Sequence, residues 1–343
     1  MAASARDLFL LVHGSTAKGR YADVEPVGFD RWVVGKEACR LRFDGRRAAL
    51  FSLGSLALAP LVRSCPSSAR ARTLGGWNVP ARSEAMDVAR AVVGGTCGVL
   101  VHVDRIRHLP AARRLLSLGQ WGAAMEHFEI DPLEEVSRVF VTSRKFDDTV
   151  RSATVIDLAI DDTDRVTRRL LDLERAPDCA LGGILPIDGA RFAIESPAPG
   201  SLVVVPEESL GALAERRALI RGGSCLPAAS EDEVIYGFAE EPDTTLGDAL
   251  PWPATVRDVH ARLALTPGGA TLEVFARSTS PEQAALDART LSAALDAKLR
   301  VDLVLFQLSL LRETDFEVRG DRIELATRLG KTEVEILLAL GSL

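Results

Sequence analysis

The chain has little lysine. Of its 41 basic residues only Lys18, Lys36, Lys145, Lys298 and Lys331 are lysine, and the rest are arginine. Together with the heavy use of alanine, this bias points to a GC-rich coding sequence rather than to an arginine-based function. Positive charge is in deficit as well: 41 Lys and Arg stand against 48 Asp and Glu, giving a net charge of −7. That balance argues against a general nucleic-acid binder, whose affinity rests on phosphate contacts. No apolar run reaches the roughly 18 residues that a membrane-spanning helix needs, which excludes a polytopic helical membrane protein. What is present is ordinary for a globular chain: 343 residues, 47% hydrophobic and 26% charged, enough apolar surface to fold and a length that suggests about two domains.

The motifs of common chemistry are missing too. The five cysteines, Cys39, Cys65, Cys97, Cys179 and Cys225, include no C-x-x-C pair, which removes zinc and dithiol redox motifs. The five histidines show no H-x-x-x-H or H-E-x-x-H spacing, and there is no G-x-S-x-G elbow. Gly330-Lys331-Thr332 ends like a phosphate-binding loop, but Leu325 stands where the loop needs its first glycine, so these residues are expected to turn from a strand into a helix. Asp161, Asp162 and Asp164 suit a helix N-terminus, where caps and the helix dipole favour acids. Glu207-Glu208 reads the same way. Glu231, Asp232 and Glu233 read as a solvated inter-lobe linker, and His102 and His260 are expected to face solvent or pair with neighbours on sheets. The sequence therefore names no catalytic residue, no metal site and no cofactor.

The most informative stretch is RRAALFSLGSLALAPLVRSC, Arg46 to Cys65. An arginine pair, Arg46 and Arg47, precedes a 15-residue apolar segment, Ala48–Val62. The segment is short for a bilayer span but has the length and flanks of a signal-peptide apolar region. The pair directly before it resembles a twin-arginine export signal, with Gly45 and Ala49 departing from the usual residues. Two cleavage sites are open. Val62-Arg63-Ser64-Cys65 is a degenerate lipoprotein box that would make Cys65 the lipidated first residue, and Ala69-Arg70-Ala71 suits ordinary signal peptidase. The alternative is that 48–62 is a buried element of a cytosolic domain. Because export signals sit at the N-terminus, residues 1–45 are expected to be an extension ahead of the true start. Residues 46–71 would then be the signal segment and 72–95 a linker.

Patterning sharpens from about residue 96. Gly98–Asp104 has strand propensity, and Leu109–Phe128 reads as a helix with apolar residues at helical spacing. Asp131 is placed to cap a short helical turn with Pro132 at its first position, before an extended run through Val139 and Val141. The element order then repeats. Segments 137–143 and 152–160, a helix at 162–175, segments 192–196 and 201–207, and a helix at 208–220 match segments 259–267 and 270–278, a helix at 281–300, segments 315–320 and 322–329, and a helix at 331–340. A strand-like run precedes each copy, GVLVHVD and EVIYGF (233–238). Ser280 and Gln283 have capping-box spacing ahead of Ala284, Ala288 and Leu291. Val259, Ala261, Leu263 and Leu265 alternate with His260, Arg262 and Ala264 before the turn at Pro267-Gly268-Gly269, so one face of that strand is apolar and the other polar. The fold class expected is α+β: two related lobes, 96–230 and 231–343, each an antiparallel sheet with helices on one face.

The leader, the run IDPLEEVSRVFV with Asp131, Pro132, Leu133 and Val136, and the two hairpin–helix segments resemble uncharacterised secreted lipoproteins of GC-rich Gram-negative bacteria that carry twin-arginine-type signals. The resemblance covers roughly residues 46–340, and Arg63 departs from the usual lipid-attachment box. That family has no established activity, so it transfers no catalytic residue. It implies an exported, lipid-anchored cell-envelope protein, periplasmic or outer-membrane-associated, with a non-catalytic binding or scaffolding role towards an envelope protein or an apolar ligand. The alternative is an enzyme of unrecognised type, in the cytoplasm or exported, with its site between the lobes. In an oxidising compartment Cys179 and Cys225, both in loop-like stretches, are candidates for a disulfide, whereas Cys97, beside an apolar strand, is expected to be buried and free.

Overall fold

A computed structural model describes residues 32–34, 37–39, 83–109, 125–146, 148–159, 163–176, 178–179, 181–187, 189–220, 226–228, 232–247, 251–303, 306–309 and 316–331. The chain divides into two units, residues 1–47 and 48–343. In the first, β1 (Trp32–Val34) and β2 (Glu37–Cys39) pair antiparallel, Val34 opposite Glu37. Both strands fall in the stretch expected to be an extension ahead of the true start.

The second unit is built on one eleven-stranded sheet. In chain order its elements begin with helix α1 (Glu84–Val93), β3 (Cys97–His102), α2 (Val103–Ile106), α3 (Pro132–Glu135), β4 (Val136–Ser143), β5 (Ala153–Leu158) and α4 (Thr163–Leu171). Next come β6 (Gly182–Ile187), β7 (Ala190–Ala198), β8 (Ser201–Pro206), α5 (Leu210–Arg216), β9 (Glu233–Glu240) and α6 (Pro242–Thr245). Last are β10 (Val256–Thr266), β11 (Gly269–Ser278), α7 (Pro281–Leu299), the separate hairpin β12 (Arg300–Leu303) with β13 (Phe306–Ser309), β14 (Glu317–Arg319) and β15 (Arg322–Gly330). Across the sheet the strands run β14-β15-β11-β10-β9-β3-β4-β5-β8-β7-β6, and every neighbouring pair is antiparallel. The class is α+β with an antiparallel sheet, as the alternating strand patterns imply.

The sheet is continuous where two lobes were expected. β3 pairs with β9 from Cys97↔Ala239 to Val101↔Ile235, which joins the two segments at the centre. Read outward from this seam, each segment runs through its first three strands and then returns with its last strand ahead of the one before it: β3-β4-β5-β8-β7 on one side and β9-β10-β11-β15-β14 on the other. The halves differ in their additions. The first carries the extra edge strand β6, and the second carries the β12–β13 hairpin, which stands apart from the main sheet.

Helices pack on both faces. On one, α4 contributes Val166 and Leu170, and α7 contributes Ala284, Ala288 and Leu291, to a core with Ile156, Leu202, Val259, Leu272 and Leu325. On the other, Ala85, Met86, Val88, Ala89 and Val92 of α1 and Leu210 and Leu213 of α5 meet Leu100, Phe140, Val155, Val203 and Val205. All six residues of β8 are therefore buried, whereas β10 keeps its polar alternation. Helix α1 falls in the stretch expected to be a linker. Its apolar positions recur at i, i+3, i+4 and i+7. Ser83 accepts from Met86 N at 3.2 Å and Gly94 closes the helix at φ 63°, as caps at its two ends.

The turns explain the register. Gly269 opens β11 at φ 151°, and a Cβ there would lie 1.9 Å from the Leu329 carbonyl oxygen, so only glycine lets β15 approach. Asp131 accepts from Leu133 N at 2.9 Å and Pro132 sits in the first turn of α3, as expected. Ser280 likewise accepts from Gln283 N at 3.2 Å. The Gln283 side chain does not complete a capping box, however; it donates to Asp287 at 2.8 Å. The edges are blunted. The outward amide of Ile184 in β6 donates to Glu174 O at 2.8 Å, the next outward position is Pro186, which has no N–H, and β14 is three residues long.

Candidate functional site

The site is assembled where β9 ends, α6 begins and β10 starts. In antiparallel pairing, opposite residues share a face. The registers Phe238↔His260, Glu240↔Asp258, His260↔Phe275 and Asp258↔Arg277 therefore bring these six side chains to one face of β9, β10 and β11. They stand beside a cleft of about 640 Å³, lined by Phe238, Glu240, Asp258, His260 and Arg277 and, from the α6 corner and the start of β10, by Glu241, Asp243, Thr244 and Arg257. Chain direction reverses here because Pro242 opens α6 directly after Glu241, which holds φ 46°. Positive φ is uncommon outside glycine, and Glu241 is fixed there by its amide donating to Arg257 O at 2.8 Å and by its carbonyl accepting from Thr244 N and Thr245 N at 3.0 and 3.1 Å.

An aromatic row forms the floor. Phe140 and Phe238 stack with centroids 6.4 Å apart, and His260 lies 6.0 Å from Tyr236 and 6.2 Å from Phe275. Phe140 and Phe238 reach across β3 because position 98 is glycine. A Cβ on Gly98 would come within 2.9 Å of a ring carbon of each and of the Val141 carbonyl oxygen. The Arg90 guanidinium from α1 sits 4.5 Å from the Phe238 centroid and donates to Glu240 Oε1 at 2.6 Å, a cation held by a ring face and a carboxylate together. Arg322 lies over Phe275 at 5.5 Å.

Several polar groups of the cleft are paired with one another. Tyr236 Oη and His260 Nδ1 share a hydrogen bond of 2.7 Å, and His260 Nε2 is 3.7 Å from Asp258 Oδ1. Asp258 Oδ2 accepts from Arg277 Nε and Nη2 at 2.9 and 2.5 Å. The Thr244 hydroxyl donates to Glu241 O at 3.0 Å, so it is not set against a base. Among the described residues no group of three or more His, Cys, Asp or Glu is placed to hold a metal ion.

A second polar row lies deeper on the same face. Asp157 is buried and accepts from Ser201 Oγ at 3.1 Å and Leu226 N at 3.0 Å, while Arg138 donates to Leu226 O at 2.6 Å and lies 3.3 Å from Asp157. This side-chain pair clamps the Leu226 peptide against the sheet. Beside it, His102 and Glu233 are both buried with Nε2 and Oε1 3.6 Å apart, and Arg262 Nε is 3.3 Å from Glu233 Oε2. Glu233 is thus the buried first residue of β9 rather than part of a solvated linker, held between His102 and Arg262.

The other expected sites scatter. Arg46, Arg47, Cys65 and Cys225 lie outside the described residues, as do Asp161 and Asp162, and Asp164 falls in the first turn of α4. Cys97 is buried, as expected, and its thiol donates to Ser143 O at 3.3 Å. Cys179 is a free, half-buried thiol. Burial first, and then the charge of nearby Glu195, push it up to about 11. The cleft residues were not singled out from sequence, His260 excepted. The only local sign of them was aromatic and charged residues at alternate positions of β9, β10 and β11. No described helix is long and apolar enough to cross a membrane.

No protein-family model matches the chain, and no curated protein matches it. Among solved structures it is similar to crystal form I of TP0453, at 11% identity and a TM-score of 0.43, covering 74% of this chain and 98% of that one. Crystal form IV of TP0453 gives 10% identity and a TM-score of 0.41, with 75% and 100% covered.

Proposed function

We propose that this chain is an exported cell-envelope protein, lipid-anchored through Cys65, whose role is to bind rather than to catalyse, with the β9–β11 cleft as its binding site. The observation that carries the binding role is the pairing inside the cleft. Asp258 is engaged by Arg277, Glu240 by Arg90, and His260 by Tyr236. General acid–base or nucleophilic work needs a base within reach of a group that it can activate, and here Asp258, Glu240 and His260 are each committed to a partner around an aromatic floor. The export part rests on the Arg46-Arg47 pair, the apolar segment behind it and Cys65. The partner would be an envelope protein or a small ligand.

Intact-mass analysis of the protein from native membrane and soluble fractions tests this. A diacylglyceryl mass on a chain that begins at Cys65, in the membrane fraction, is the expected result. An unmodified chain beginning at Met1 in the cytosol would overturn the envelope assignment. The feature that favours an enzyme instead is the Tyr236–His260–Asp258 chain, which has the shape of a proton relay. Recovery of a bound compound in chemically altered form would establish that alternative.

A further inference from the structure

Resting on the reading of the cleft as a binding site, we infer that its ligand is an organic cation carrying a guanidinium or alkylammonium group. The lining holds four carboxylates, on Glu240, Glu241, Asp243 and Asp258, against two arginines, Arg257 and Arg277. Arg277 is used by Asp258, and Glu240 is used by Arg90 from outside the lining. Glu241, Asp243 and Arg257 make no ion pair with a described residue, so outside its ion pairs the lining holds two carboxylates against one guanidinium. Asp258 gives both of its Arg277 bonds to Oδ2, so Oδ1 stays beside the His260 ring.

The protein itself shows the chemistry that this surface accepts. Arg90 lays its guanidinium 4.5 Å over Phe238 and reaches Glu240 at 2.6 Å. Ring face and carboxylate are the two elements by which proteins hold guanidinium and ammonium groups. The cleft lining holds the same two kinds of group, the Phe238 and His260 rings with the carboxylates of Asp258, Glu241 and Asp243, around a volume of about 640 Å³ that lies within the usual range for small-molecule sites. An anion would meet the carboxylates of Glu241 and Asp243 there, unpaired among the described residues, and an apolar ligand would strip them of water without replacing the lost hydrogen bonds.

The test uses the full chain and calorimetry with agmatine, the uncharged control butylurea, which lacks both of agmatine's cationic groups, and a hexapeptide with one central arginine. Agmatine should bind, butylurea should not, and the affinity should fall with ionic strength. The double variant Glu241→Gln/Asp243→Asn, which disturbs no ion pair among the described residues, should weaken agmatine about tenfold with an unchanged melting temperature. Binding of the peptide but not of agmatine would assign the cation to a protein partner, and agmatine binding to a free metabolite. Equal affinity for agmatine and butylurea, or for agmatine in native protein and double variant, would overturn the cation. If an acidic or neutral compound instead bound and lost affinity in Phe238→Ala, the cleft would stand and the cation would fall. No binding by any member of the panel would remove both.

Discussion

Gly98 shows how much one residue decides. It is the position on β3 over which Phe140 and Phe238 meet, and a methyl group there would clash with both rings and with the Val141 carbonyl. Overpacking of a closed core costs about 1–3 kcal/mol, so Gly98→Ala should lower stability by that amount in urea unfolding and broaden the aromatic resonances. Stability at the wild-type value would show that the rings can part freely. Cys179 gives a chemical counterpart. With its thiol pushed up to about 11 from an ordinary 9.0, it holds about a hundredfold less thiolate at pH 8, and the thiolate is the reactive form. Its alkylation should be correspondingly slow and should accelerate as pH rises towards 11. Glu195 is one of the charges that raise the value, so Glu195→Gln should speed the reaction. Rapid labelling of Cys179 at pH 8 would contradict this. Neither feature is legible in sequence: nothing local distinguishes Gly98 from a turn glycine, or places Glu195 beside Cys179.

At the scale of elements, helix α7 combines an expected stripe with an unforeseen charge. Ala284, Ala288 and Leu291 are buried as their spacing predicts. Asp287, which adjoins that stripe, is equally buried and accepts from Ser278 Oγ at 2.6 Å, Thr255 Oγ1 at 2.7 Å and Gln283 Nε2 at 2.8 Å. It ties the helix to the end of β11 and to the turn before β10. Removing the carboxylate leaves several donors unsatisfied, at about 1–3 kcal/mol for each buried one. Asp287→Ala should therefore cost about 3 kcal/mol or more in chemical denaturation, and Asp287→Asn, which keeps an acceptor, clearly less. Equal losses would mean that packing rather than hydrogen bonding holds the helix. The edge of the sheet carries a pH-sensitive tie. Arg191 bonds both Glu174 and Glu207, and its hydrogen bond and charge lower Glu174 below its ordinary 4.5. A carboxylate lowered by folding contributes stability above its unfolded pKa and loses it as pH falls through the folded one. Weakening of the β6 edge on acidification below about pH 4.5, seen by hydrogen exchange and absent in Arg191→Gln, is the expected outcome.

For the whole molecule, the strand order separates what a sequence can carry from what it cannot. The β10–β11 hairpin, α7 and the Asp131–Pro132 start of α3 follow from alternation, spacing and caps, all of them local signals. The Asp258–Arg277 and His260–Phe275 neighbours follow once the turn at Pro267-Gly268 fixes the register, so part of the cleft is implicit in one hairpin. The β3·β9 seam joins residues 97–101 to 235–239, and no local pattern announces a pairing so distant. Without it, two segments of like element order look like two lobes. The seam predicts that exchange of the β4–β5 and β10–β11 amides, measured against rising denaturant, converges on one opening free energy. Separate openings for the two halves would restore the two-lobe picture.

That seam also limits how the protein could respond to the ligand proposed for its cleft. Receptors built from two bodies around a hinge report a ligand by clamping shut. Here the backbone ladder runs unbroken from β14 to β6, so no such clamshell movement is available between the halves without tearing strands apart. A bound ligand can be announced only by side chains and by the segments laid on the plank, such as the α6 corner and helix α1, which holds Arg90 over the cleft's own ring.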